Sequence, residues 1–193
     1  MPVRAAHGFG PKSIFFEVLK PHFELPQHAE RLVTVLLGSA CEQWINGELF
    51  LALNASKLPM AVVPEREKRD LVLYSLNDLK TPRLVIETKL IYSTYGEAKQ
   101  RCKLFELRLQ LEESRVRYPN TPAVGLVVSF FWNESSKRVP PPERMPRGSF
   151  ERIGGLENAF GQESPYNVTA PRRVAVAGRE FDVLASMEMV RAC

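Results

Sequence analysis

A chain of 193 residues suits one domain, and a domain of that size buries roughly 70% of the surface its unfolded chain exposes. Hydrophobic content of 45% and charged content of 25% are ordinary for a globular protein and exclude fibrous and disordered classes. The formal net charge of +4 permits a polyanionic partner without requiring one.

The opening segment, MPVRAAHGFGPKS, lacks the apolar stretch of a secretory signal, and no run approaches the ~18 apolar residues of a membrane span. The expectation is a cytoplasmic protein with no membrane partner. Cys41, Cys102 and Cys193 have no metal-ligand spacing. Cys41 and Cys102 fall on or near apolar helix faces and read as small buried hydrophobes.

Ile14 to Leu19 is the only regular element expected in the first twenty-five residues, a short strand or helix. A strong helical pattern then runs from Pro26 to Leu53, with proline tolerated at its start, and Lys57-Leu58-Pro59 ends it. Two apolar runs follow, Met60 to Val63 and Leu71 to Tyr74, on either side of the charged stretch Glu65 to Arg69. Asn77 to Pro82 reads as a hairpin connection into a strand from Leu84 to Ile91. A second helix is expected over Tyr95 to Arg117, opened by the capping-box signature Thr94-Tyr95-Gly96-Glu97. The near-continuous apolar run from Val124 to Trp132 reads as a strand covered on both faces.

Beyond Asn133 the composition changes. Val139-Pro140-Pro141-Pro142 and Met145-Pro146-Arg147-Gly148 form a stiff polar connector, and Arg173–Val176 with Phe181–Leu184 pair as a final hairpin. The predicted order of helix, three strands, helix and strand gives an α/β fold, a mixed central sheet flanked by helices. Residues 1–132 make the core. Residues 133–193 make a proline-containing connector and a loop-rich C-terminal extension packed on the same domain.

Chemistry concentrates on two of the strands. Asp70 opens the apolar run Leu71 to Tyr74, and seventeen residues later Glu87-Thr88-Lys89 interrupts Leu84-Val85-Ile86 and Leu90-Ile91. Strand side chains alternate, so Glu87 and Lys89 share a face, and Thr88 offers its backbone carbonyl. Pairing through the Asn77–Pro82 turn brings Asp70 close to Glu87, and two carboxylates plus a carbonyl are the hard ligands Mg2+ takes. The plainer alternative is a same-face ion pair worth under about 1 kcal/mol. Apolar residues on both sides argue for a central strand, where a buried carboxylate needs a cation or donor.

Projected at about 100° per residue, Val33, Leu37, Ala40, Cys41, Trp44, Leu51 and Ala52 form one apolar stripe of the first helix. Glu48 falls within that stripe and needs a partner: a metal, its bound water, Lys89, or an arginine such as Arg69. Glu42 lies off the stripe and is expected to face water. On the second long helix, Lys99, Arg101, Lys103 and Arg108 make a basic side that a phosphate backbone would contact, although Glu106, Glu112 and Glu113 interrupt it. His7, His22 and His28 lack zinc-site spacing, the glycines make no phosphate loop, and no serine sits in a nucleophile elbow.

Glu48, then Asp70, then Glu87-Thr88-Lys89, laid over helix, strands and helix across roughly residues 30–132, resembles the PD-(D/E)XK nuclease superfamily, the restriction-endonuclease-like fold. Arg69 stands where the nominal motif has proline, a position that contributes no ligand. The resemblance implies that Asp70, Glu87 and the Thr88 carbonyl hold Mg2+, with Mn2+ as substitute, and that Glu48 binds a second or hydrated ion. It further implies that Lys89 orients and activates the attacking water, and that Lys99, Gln100, Lys103 and Arg69 contact nucleic acid, DNA in such enzymes. A homodimer or partner protein fits a double-strand cut. Two rivals remain open: a catalytically inert nuclease-fold subunit that binds nucleic acid or protein, and a small protein-interaction module.

Overall fold

The computed structural model of the chain describes residues 10–37, 42–64, 69–92, 95–134, 155–160, 166–167, 172–176 and 178–193. A mixed sheet lies between two helical layers. Its strands are β1 (Met60–Pro64), β2 (Leu71–Ser75), β3 (Asp78–Tyr92), β4 (Ala123–Glu134), β5 (Leu156–Asn158), β6 (Tyr166–Asn167), β7 (Arg172–Val176) and β8 (Arg179–Ala192). The spatial order is β1-β2-β3-β4-β8-β5, with β6 and β7 also on β8. β3 and β4 are parallel and the other pairings antiparallel. The parallel pair needs a crossover, and α5 (Glu97–Arg117) supplies it.

The helices on the opposite face are α1 (Pro11–Ser13), a π-helical stretch (Ile14–Leu19), α2 (Lys20–Glu24), α3 (Pro26–Leu37) and α4 (Glu42–Ala55). They bury Ile14, Phe23, Leu32, Leu36, Ile45 and Leu49 against Leu71, Leu84, Ile86, Leu126 and Phe130. On the other face Leu104, Leu107 and Leu111 of α5 meet Val72, Val85, Ile91, Val127 and Val190. β2, β3, β4 and β8 therefore send apolar side chains into both cores, which is why β4 reads as one continuous apolar run. Each fully buried Leu, Ile or Phe stabilises by roughly 1.5–3 kcal/mol relative to exposure.

Gly125 of β4 lies where α5 presses hardest on the sheet: a Cβ built there would stand 2.8 Å from Leu107 and 3.0 Å from Val190. Gly178, at φ 76°, occupies the left-handed conformation of the β7–β8 turn.

Several expectations change. Of the helix expected over 26–53, the structure describes α3 over Pro26–Leu37 and α4 over Glu42–Ala55; residues 38–41 between them lie outside the described residues. The strand expected from Leu84 begins at Asp78, because β3 starts immediately after the tight turn of its hairpin with β2 and takes Pro82 in at an irregular register. α5 starts through Gly96, which has no side chain to cap it; the Thr94 of the expected capping box lies outside the described residues. The final hairpin forms, but its second strand does not stop at Leu184. β8 runs on beside β4 from Phe181 to Val190 and buries Val183, Leu184, Ala185, Met187, Met189 and Val190. The C-terminal segment is thus part of the core sheet rather than an extension of it. Cys102 is exposed on α5 instead of buried; Cys41 and the connector over 139–148 lie outside the described residues.

Candidate active site

β2 pairs with β3 only as far as Leu71 opposite Ile86, so among the described residues the edge of β3 beyond Ile86 has no strand partner on that side. Two carboxylates take up that edge. Asp70, at the entry to β2, accepts a hydrogen bond from the Thr88 N–H through Oδ2 at 2.6 Å. Glu42, the first residue of α4, accepts from the Leu90 N–H through Oε1 at 3.3 Å. Within a strand the N–H and C=O of one residue point to the same side, so the Thr88 carbonyl is turned toward the edge that holds Asp70.

Lys89 emerges between them. Its Nζ donates to Glu42 Oε2 at 3.3 Å and stands 4.0 Å from Glu106 of α5. Only 5% of the residue is exposed. Burial pushes the Asp70 carboxyl above its ordinary range, and Glu42 adds to this, while the Thr88 N–H, Lys89 and Asn46 of α4 pull it back. The sequence expectation that Glu42 faces water is therefore corrected: Glu42 is the acidic residue that α4 delivers to the strand edge.

Glu87, two residues before Lys89, faces α5 and is fully buried. Its Oε1 accepts from Arg69 Nη1 at 3.2 Å and from the Ser114 hydroxyl at 3.0 Å. Its Oε2 is buried with no hydrogen-bond partner among the described residues. Burial and the neighbouring Asp70 charge push the Glu87 carboxyl up to about 7, against the opposing pull of Arg69 and Ser114. The charge of Asp70 thus acts on Glu87, and that of Lys89 acts on Asp70.

Glu48 is buried, as its place in the apolar stripe requires, but it belongs elsewhere. Both its oxygens accept from Arg31 of α3, and His22 Nε2 lies 3.8 Å away. Its partner is neither Lys89 nor Arg69. Among the described residues, the one group of three or more His, Cys, Asp or Glu whose ligand atoms all lie within 4.8 Å of one another is His22, His28 and Glu48. The stripe misleads because helical phase is not kept from α3 to α4: Leu51, assigned to it, is exposed, and Ile45 and Leu49 take the buried positions.

The expected nucleic-acid contacts divide in the same way. Arg69 is buried and bound to Glu87, Glu113 and the Gln110 carbonyl, so it is not offered to a phosphate backbone. Gln100 donates to the Tyr95 carbonyl at 2.8 Å. Lys99 is exposed with its Nζ over the Tyr95 ring, and Lys103 is half-buried and pairs with Glu106. The ion pairs Arg101–Glu97 and Arg108–Glu112 give this helix face the character of a solvated surface laced with i,i+4 pairs. A groove of about 1060 Å³ beside α5 includes Arg69, Gln110, Glu113 and Arg117 in its lining but neither Asp70 nor Lys89. Among the described residues no helix is long and apolar enough to cross a membrane. No protein-family model, no curated protein and no solved structure is significantly similar to the chain.

Proposed function

We propose that the chain is a metal-dependent nuclease with a restriction-endonuclease-like core, hydrolysing phosphodiester bonds at the open edge of β3. The observation that carries this reading is the buried Oε2 of Glu87, which has no hydrogen-bond partner among the described residues, feels the charge of the Asp70 carboxylate and lies two residues before Lys89. Even with Arg69 on Oε1, burial and Asp70 hold this carboxyl up at about 7, and a further cation at Oε2 would favour its charged form. Asp70, Glu87 and the Thr88 carbonyl are the residues that would hold Mg2+, with Mn2+ as substitute, and these oxygen donors suit a hard ion.

The ion supplies charge neutralisation and lowers the pKa of a bound water. The chain's own residues do the positioning. Glu42 anchors Lys89 Nζ, and Lys89 then donates to the attacking water and to the phosphate oxygen on which charge grows. Glu42 also takes the part expected of Glu48, steadying the hydrated side of the site from α4. DNA as substrate rests on the resemblance of the motif. A double-strand cut needs two such sites, hence a second copy or a partner protein.

One observation favours a second reading, the inert nuclease-fold subunit. Arg69 already supplies positive charge to Glu87 and ties it to α5 through Glu113 and the Gln110 carbonyl. Calorimetric titration with Mg2+ separates the two. The enzyme reading predicts uptake by the wild type that is lost in Asp70→Asn and kept in Lys89→Ala. The inert reading predicts no uptake that depends on Asp70.

A further inference from the structure

The helices over one face of the sheet meet at a cluster that phosphodiester chemistry does not use. His22 of α2, His28 of α3 and Glu48 of α4 each bring one ligand atom to within 4.8 Å of the others. The two imidazole rings lie nearly face to face, with centroids 4.0 Å apart and planes 26° from parallel. His22 Nε2 is buried and makes no hydrogen bond among the described residues; Glu48 Oε2, at 3.8 Å, is beyond hydrogen-bond reach. A buried imidazole nitrogen without a partner calls for an explanation. Two imidazoles and a carboxylate share the capacity to donate lone pairs to a borderline divalent metal, a donor set that suits Zn2+ and is unlike the all-oxygen set at Asp70.

We propose that His22, His28 and Glu48 form a binding site for a Zn2+-class transition-metal ion, with three protein ligands and a fourth position left to water. Arg31 is the group to be displaced. It donates to both Glu48 oxygens and so keeps a buried carboxylate compensated. Its side chain is half exposed and has a path to solvent when a metal takes Glu48. The ion would tie α2, α3 and α4 together. Their histidines sit on different helices at no recurrent spacing, which is why the site is invisible in the sequence.

The test uses the full chain, treated with chelator and with its thiols alkylated so that the cysteines do not compete. Zn2+ is titrated by calorimetry and Co2+ by visible absorption. The expected result is one ion per chain, a Co2+ spectrum of low-coordinate nitrogen–oxygen type, and a melting temperature that rises with Zn2+ concentration. His28→Gln and Glu48→Gln should each weaken Zn2+ by more than about tenfold with the far-UV circular dichroism preserved. Arg31→Met keeps every ligand and removes the competing cation, so it should bind more tightly than the wild type. Uptake far below one ion per chain overturns the proposal, as does an affinity unchanged in both His28→Gln and Glu48→Gln, or weakened in Arg31→Met. None of these variants touches Asp70, Glu87 or Lys89 and the readout is metal uptake, so the outcome is distinguishable from that of the nuclease reading.

Discussion

Replacing Glu87 with glutamine should stabilise the metal-free protein at alkaline pH. Burial and Asp70 raise the Glu87 carboxyl from 4.5 to about 7 in the folded chain, despite its bonds to Arg69 and Ser114. A group whose folded pKa lies above its unfolded value contributes stability in full below the unfolded pKa and loses it as pH rises through the folded one. The window is therefore pH 4.5 to about 7. At 1.36 kcal/mol per unit, the loss across it is about 3 kcal/mol. Glutamine keeps an acceptor for Arg69 and Ser114 and does not titrate. Urea denaturation in chelator at pH 5, 6.5 and 8 should show Glu87→Gln close to the wild type at pH 5 and more stable by about 1–3 kcal/mol at pH 8. A difference that does not change with pH, or a variant less stable at pH 8, would refute the reasoning and mean that the Arg69 pair holds Glu87 ionised.

Gly125→Ala should destabilise by about 0.5–1.5 kcal/mol in the same assay, because the Leu107 side-chain tip, 2.8 Å from the added Cβ, must shift or change rotamer. An unchanged midpoint would mean that α5 does not pack as described. Met189→Ala should cost about 2–5 kcal/mol if β8 is a core strand, since Met189 is fully buried; a surface extension would lose well under about 1 kcal/mol. Glu42→Gln should lower DNA cleavage by about tenfold or more through mispositioned Lys89, with the melting temperature nearly kept. Full activity in that variant would remove Glu42 from the site.

The four strands β1 to β4 and α5 are legible in the sequence because each carries its own periodicity: continuous apolar runs for strands covered on both faces, and a long amphipathic pattern for the crossover helix. β8 is harder to read. Ser186 and Glu188 interrupt its apolar residues, and its role depends on β4, whose partner residues lie 47 to 65 positions earlier along the chain. That Asp70 enters the strand paired with β3, while Glu87 and Lys89 share a face of β3, is legible because it needs only strand alternation and one hairpin. The place of Glu42 is missed because its hydrogen bonds to Lys89 and the Leu90 N–H join α4 to β3, a tertiary contact that no projection along a single helix contains. Glu48 fails for the same reason: its burial is legible, its partner is not. The meeting of His22, His28 and Arg31 around it is a tertiary fact about three helices. Arg69 reads as a surface cation beside a charged run, yet the strand entry turns it inward onto Glu87.

The most direct measurement is plasmid cleavage by the purified chain with Mg2+ or Mn2+, run beside Lys89→Ala and Asp70→Asn. The nuclease account predicts cutting by the wild type that needs the metal and falls by about a hundredfold or more in either variant. Cutting that survives both substitutions would contradict it, and so would a folded wild type that binds Mg2+ yet leaves DNA intact.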